Sequence, residues 1–176
     1  REGLAFDRCD VAVVTNVGSG DHLGLNYITT VQDLAVLKRV IVQNVSPNGV
    51  AVLNATDPVV SAMAGKCRGS VTFFAVDRFH PVMATHRAQG QAVVYVENGY
   101  LVACKGDFQQ TIALSAIPIT MDGMIPFQVE NVMASVAAAW ALGLDWDTIR
   151  SGLAGFSNDA HTAQGRFTLF KYRRAT

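Results

Sequence analysis

Short apolar runs alternate with stretches of helical periodicity from Val11 to Val76. Val11-Ala12-Val13-Val14 is closed by Thr15-Asn16, which is the pattern of a strand covered on both faces. Thr29 or Thr30 then offers an N-cap and Gln32-Asp33 a polar first turn, while Val31, Leu34, Ala35, Leu37, Val40 and Ile41 recur at helical spacing. This predicts a helix of about four turns that ends before the turn signal Pro47-Asn48-Gly49. Gly49–Leu53 predicts the next buried strand, Asn54–Pro58 the loop at its carboxyl end, Val59–Lys66 a short helix and Val71–Val76 a third strand. Strand, helix, strand, helix, strand is the order of crossover units in a parallel sheet.

From about Arg87 the pattern changes. Ala92–Val96, Tyr100–Cys104 and Thr111–Leu114 are separated by the turn signals Glu97-Asn98-Gly99 and Lys105-Gly106-Asp107, and predict antiparallel hairpins. A Pro/Gly-containing connector, Ile117–Pro126, leads into an Ala- and Val-rich helix over Val129–Leu142, stopped by Gly143. A helix over Asp147–Leu153, a polar loop over Asn158–Gly165 and a strand over Phe167–Phe170 complete the reading. The expected fold class is α/β: a mostly parallel sheet with flanking helices, plus a small antiparallel β-hairpin portion.

Composition narrows the function. Half of the 176 residues are hydrophobic and 14 basic residues balance 14 acidic ones, so a disordered tail and a basic nucleic-acid surface are both disfavoured. No apolar stretch approaches the length of a bilayer span, and no membrane partner is expected. Cys9, Cys67 and Cys104 are odd in number and widely spaced, which fits packed thiols in a reducing, cytoplasmic setting better than a disulfide frame or zinc site. The chain opens Arg-Glu-Gly and closes soon after its last strand-like segment. An internal piece of a longer protein is the expectation.

The segment Thr15-Asn16-Val17-Gly18-Ser19-Gly20-Asp21-His22-Leu23-Gly24 follows the first strand, and in open α/β sheets ligands bind beyond the carboxyl ends of the strands. Gly18 and Gly20 allow close backbone approach, and Asp21 and His22 could bind a metal or polarise a phosphate oxygen. A plain surface loop is the alternative.

Thr15-Asn16-Val17-Gly18 followed by Asp21-His22-Leu23 resembles the loop of the Mur ligase superfamily, the ATP-dependent amide ligases that include folylpolyglutamate synthetases. The string from Glu2 to Val17, together with Ile125-Pro126-Phe127-Gln128-Val129-Glu130-Asn131, is similar to the ligase half of the cyanophycin synthetase family within it. The resemblance implies that ATP phosphorylates a substrate carboxylate and that an amine then displaces phosphate to form an amide. Such a step is catalysed by positioning and charge neutralisation. The resemblance further implies ATP and Mg2+ as cofactors, an aspartate backbone and arginine (cyanophycin) as substrates, and a homo-oligomeric full-length protein. Alternatives are another Mur ligase or folylpolyglutamate synthetase, or a non-catalytic α/β nucleotide-binding module.

By the same resemblance, His22 is a magnesium ligand near the transferred phosphate, although imidazole is an unusual partner for so hard an ion. Lys38 sits about where many family members carry a carbamylated, metal-binding lysine; a solvated helix lysine is the alternative. Asn54 and Asp57 match an Asn-x-Asp-Asp-Pro loop in which Thr56 replaces the first acid, against an Asx turn with Pro58 opening a helix. Asn131 matches the last Asn of a His-Asn-x-x-Asn pattern that places an amide near adenine, with Gln128 in the place of the first Asn and Phe127 in that of the His. Gly165-Arg166-Phe167 resembles an element whose arginine contacts nucleotide phosphates; a linker arginine in a salt bridge is the alternative. His80 and His161 match nothing and read as surface loop residues. No G-x-x-x-x-G-K-[ST] phosphate loop occurs in the 176 residues. The expected organisation is a partial central ATP-binding domain over 1–166 and the start of a further ligase domain over 167–176.

Overall fold

The computed structural model describes residues 5–18, 24 and 28–156. They form six strands and five α-helices in the order β1 (Cys9–Val14), α1 (Val31–Gln43), β2 (Val45–Asn54), α2 (Pro58–Ser61), β3 (Ser70–Phe74), α3 (Pro81–Ala88), β4 (Val93–Glu97), β5 (Tyr100–Lys105), β6 (Phe108–Ala113), α4 (Pro126–Ala141) and α5 (Trp146–Gly155). One sheet carries all six strands in sequence order, β1-β2-β3-β4-β5-β6. The first four are parallel and the last two antiparallel. The expected α/β architecture is therefore present, with the hairpins continuing the parallel sheet through β4.

The strands alternate between two cores, as a pleated sheet covered on both faces must. On one face Ala51, Leu53, Phe73, Val93 and Tyr95 pack with Leu34 and Val42 of α1, Val60 of α2 and Met83 of α3. On the other, Val52, Phe74, Val94, Leu101 and Ala103 pack with Val129, Val132, Met133, Val136 and Ala137 of α4. Crossovers of one hand that step always in the same direction stay on one face, so α1, α2 and α3 share the first layer.

Local signals work where expected. Thr30 caps α1 in a capping box with Asp33. Asp57 caps α2 with Pro58 at its first turn, and Asn98 and Gly99, with φ of 50° and 78°, form the tight turn from β4 to β5.

Two elements differ from expectation. The signal Pro47-Asn48-Gly49 does not end a helix and start a strand: β2 begins at Val45 and carries these residues as an irregularity, with Cys9 opposite Val45 but Val11 opposite Val50. Proline and glycine are tolerated where a ladder is interrupted in this way. Helix α3 was not anticipated, because it is short, opens on the loop-like Phe79-His80-Pro81 and fully buries only Met83. His80, expected in a surface loop, is its half-buried N-cap residue. The segments 158–165 and 167–170, and the expected division at 166, lie outside the described residues.

The irregularity in β2 depends on close backbone approach. A Cβ on Gly69 would lie 2.2 Å from the Gly49 carbonyl oxygen, and one on Gly49 would lie 2.5 Å from that of Asp10. Gly69→Ala is therefore expected to lower the melting temperature by about 2 °C or more, the effect of roughly 1 kcal/mol in a domain of this size. Thermal unfolding followed by circular dichroism checks this; an unchanged midpoint would mean that these strands part easily.

Candidate active site

Parallel strands deliver their last residues to one edge, and the candidates among the described residues, Lys38, Asn54, Gln128 and Asn131, lie towards it. β1 ends into Thr15–Gly18, β2 into Asn54–Asp57, β3 into Ala75–Asp77, and β4 into Asn98. Helix α4 points its start towards the same edge. Trp140 and Ala141, at its end, line a hollow of about 200 Å³ with Ser70, Val71 and Ala92, where β3 and β4 begin. The first turns of α4, which carry Gln128 and Asn131, therefore emerge beyond the strands' carboxyl ends.

Lys38 reaches this edge from α1. Its Nζ donates to the Asn16 carbonyl oxygen at 3.3 Å, and it lines a shallow hollow of about 360 Å³ with Thr15, Asn16, Leu37 and the end of β1. The loop after β1 is tied in turn to the loop after β2, since the Val17 N–H donates to Asp57 Oδ2 at 2.8 Å. Asp57 Oδ1 accepts from the N–H groups of Val59 and Val60 at 2.9 and 3.1 Å. Asn54 is buried, and its Oδ1 accepts from the Thr56 N–H and hydroxyl at 2.9 and 2.7 Å. That is the local turn geometry which the sequence left open as an alternative to ligand contact.

On α4, Asn131 Nδ2 donates to Gln128 Oε1 at 3.2 Å. Gln128 is buried and Asn131 exposed, so the inner amide holds the outer one at the edge. Phe127, in the place of the family's histidine, is 45% exposed. Asp21, His22 and Arg166 lie outside the described residues.

Two contacts at this edge leave no signal in the sequence. Asp57 was recognisable as a helix cap, but its bond to Val17 crosses 40 positions and leaves no local signal. Arg78, after β3, pairs with Glu97 at the end of β4, and its guanidinium lies 4.6 Å from the centre of the Phe79 ring. Nothing in the spacing of 78 and 97 announces that pair.

Among the described residues no group of three or more His, Cys, Asp or Glu side chains could hold a metal ion. Asp57, the carboxylate at the loop, is already engaged by three backbone N–H groups. The described residues thus do not by themselves make a magnesium site. No described helix is long and apolar enough to cross a membrane.

Residues 3–139 match the Mur ligase middle domain. The chain belongs to the Mur ligase family. It is 44% identical over 176 residues to a cyanophycin synthetase of Synechocystis sp., covering 99% of this chain and 20% of that protein. A cyanophycin synthetase of Geminocystis herdmanii is 42% identical over 172 residues, with 97% and 20% covered. A UDP-N-acetylmuramoylalanine–D-glutamate ligase of Desulfitobacterium hafniense is 29% identical over 156 residues, with 88% and 30% covered. The chain thus spans about a fifth of the length of the cyanophycin synthetases it matches. Among solved structures, the UDP-N-acetylmuramate:L-alanyl-gamma-D-glutamyl-meso-diaminopimelate ligase from Neisseria meningitides has the same fold: TM-score 0.55 and 18% identity, over 84% of this chain and 40% of that one. These matches bear out the Mur ligase resemblance and the fold class.

Helix α1, which carries Lys38, is anchored by the Asp33 carboxylate. The Thr30 hydroxyl, and then the backbone N–H groups of Thr29 and Thr30, hold its pKa below the ordinary carboxylate value. A depressed folded pKa means a contribution that is complete above the unfolded value and is lost as pH falls through the folded one. Amide protection at the start of α1 is expected to fall on acidification through that range, and Asp33→Asn to abolish this pH dependence. Hydrogen exchange between neutral and acidic pH checks it.

Proposed function

We propose that the protein containing this chain is an ATP-dependent carboxylate–amine ligase of the cyanophycin synthetase type, which activates an aspartate side-chain carboxylate as an acyl phosphate and joins arginine to it. The observation that carries this reading is 39–44% identity to cyanophycin synthetases over nearly the whole chain. The D-glutamate-adding ligases reach only 29–30% over a shorter part. The carboxyl edge of the sheet supports it physically, because the loop after β1, Lys38 and the start of α4 all converge where α/β sheets bind their ligands.

In this reading ATP lies along that edge. Asn131, steadied by Gln128, offers an amide that can both donate to and accept from the adenine edge. Asn54 shapes the loop beneath the nucleotide, and Arg166 supplies a forked contact to its phosphates. Lys38 and His22 are the catalytic candidates, His22 also as the ligand of Mg2+. A magnesium ion there would supply charge neutralisation at the transferred phosphoryl group. The residues of this chain bind and orient; transfer of the terminal phosphoryl group of ATP to the carboxylate releases ADP, and the amine then attacks the acyl carbon and displaces inorganic phosphate, giving the amide. The functional unit is a homo-oligomer working in the cytoplasm.

The decisive experiment is ADP release by the purified full-length protein with an aspartate polymer and arginine supplied together or singly. Release that requires both supports the reading; release only with a muramoyl peptide and its amino acid would replace it with a cell-wall ligase. Asn131→Ala is expected to raise the KM for ATP about tenfold, the loss of about one good hydrogen bond, and His22→Ala to abolish magnesium-dependent turnover. The 176-residue chain alone, which contains no G-x-x-x-x-G-K-[ST] phosphate loop, is expected to show no ligase turnover.

A further inference from the structure

Asn16 and Val17 share one peptide group, and both of its polar atoms are held by ionisable side chains from different elements. Its carbonyl oxygen accepts from Lys38 Nζ on α1 at 3.3 Å. Its N–H donates to Asp57 Oδ2, in the loop after β2, at 2.8 Å. An ammonium at the oxygen and a carboxylate at the N–H favour the same orientation of the peptide dipole, and hydrogen bonds to ionised partners are stronger than neutral ones. Asp57 cannot drift, because its other oxygen accepts from the Val59 and Val60 N–H groups at the start of α2. The Val17 side chain is buried, so the peptide is packed as well as bonded. Gly18 follows at once, and a glycine imposes no direction of its own on the departing chain.

We propose that Asp57 is a positioning residue: with Lys38 it clamps the Asn16–Val17 peptide and so fixes the backbone orientation at the start of the segment that carries Asp21 and His22 in the sequence. Capping α2 requires only the Oδ1 contacts. The Oδ2 bond to Val17 lies outside that task, and it joins two loops that meet only at the carboxyl edge. The catalytic consequence rests on the ligase reading above; the clamp itself does not.

The test is Asp57→Asn in the full-length protein. The amide oxygen can still accept from Val59 and Val60, whereas the amide nitrogen cannot accept from the Val17 N–H. Hydrogen exchange is expected to show protection over residues 15–18 falling about tenfold while that over 58–61 stays within about twofold. With it, kcat should fall about tenfold or more at a melting temperature shifted by no more than about 2 °C. Lys38→Met, which leaves the α2 cap untouched, is expected to lower protection over 15–18 as well, and serves if the Asn variant does not fold. Unchanged protection over 15–18 in both variants overturns the clamp whatever the activity. Lost protection in Asp57→Asn with an unchanged kcat overturns the positioning role. A wild-type protein without ATP turnover defeats the ligase reading alone, and the exchange comparison still upholds or overturns the clamp.

Discussion

Four consecutive parallel strands force every return of the chain to be made by a crossover, and each strand then delivers its last residue to the same edge. Most of the arrangement follows from that constraint. The sequential order β1 to β4 puts α1, α2 and α3 on one face, which leaves the other face for α4 to cover. Because α4 ends beside the beginnings of β3 and β4, its first turns come out where β1 and β2 end. The described candidates, spread from Lys38 to Asn131 along the chain, are thereby carried towards that edge.

Loops here are steadied by charged and neutral polar side chains acting largely on main-chain groups. Lys38 and Asp57 take the two ends of one peptide, Asn54 closes its own turn onto Thr56, and Thr120, fully buried, donates its hydroxyl to the carbonyls of Leu114 and Ile117 in the connector before α4. Orphan backbone groups in loops need such partners once water is excluded. Under the ligase reading proposed above, loops fixed in this way would matter, since preorganised donors stabilise a transferred phosphoryl group best.

The antiparallel extension has a different part. β5 and β6 widen the sheet, and Phe108 at the start of β6 stacks on Trp140 of α4, with ring centres 5.7 Å apart and Trp146 of α5 alongside. This aromatic cluster pins the end of α4 at the amino edge. It thereby fixes the far end of the helix whose beginning carries Gln128 and Asn131.

Local chemistry made much of this legible. The Thr30 cap, the Asp57-Pro58 helix start and the Asn98-Gly99 turn each act within a few residues, and the apolar run at Val11–Val14 locates a strand, although β1 lies at the sheet edge and its Val13 is 38% exposed rather than covered. The same local character explains the misreadings: Pro47-Asn48-Gly49 is a turn signal by composition, but pairing with β1 on both sides of it, Val45 opposite Cys9 and Val50 opposite Val11, holds it within a strand, and α3 is too short to show a period. The order of motifs around Asp21-His22, Asn54, Gln128-Asn131 and Arg166 was enough to suggest the family. Only the tertiary structure decided that Lys38 and Asp57 grip one peptide, that Gln128 is buried behind Asn131, and that Arg78 meets Glu97. These contacts depend on strand order and helix direction, which bring together residues that no spacing along the chain relates.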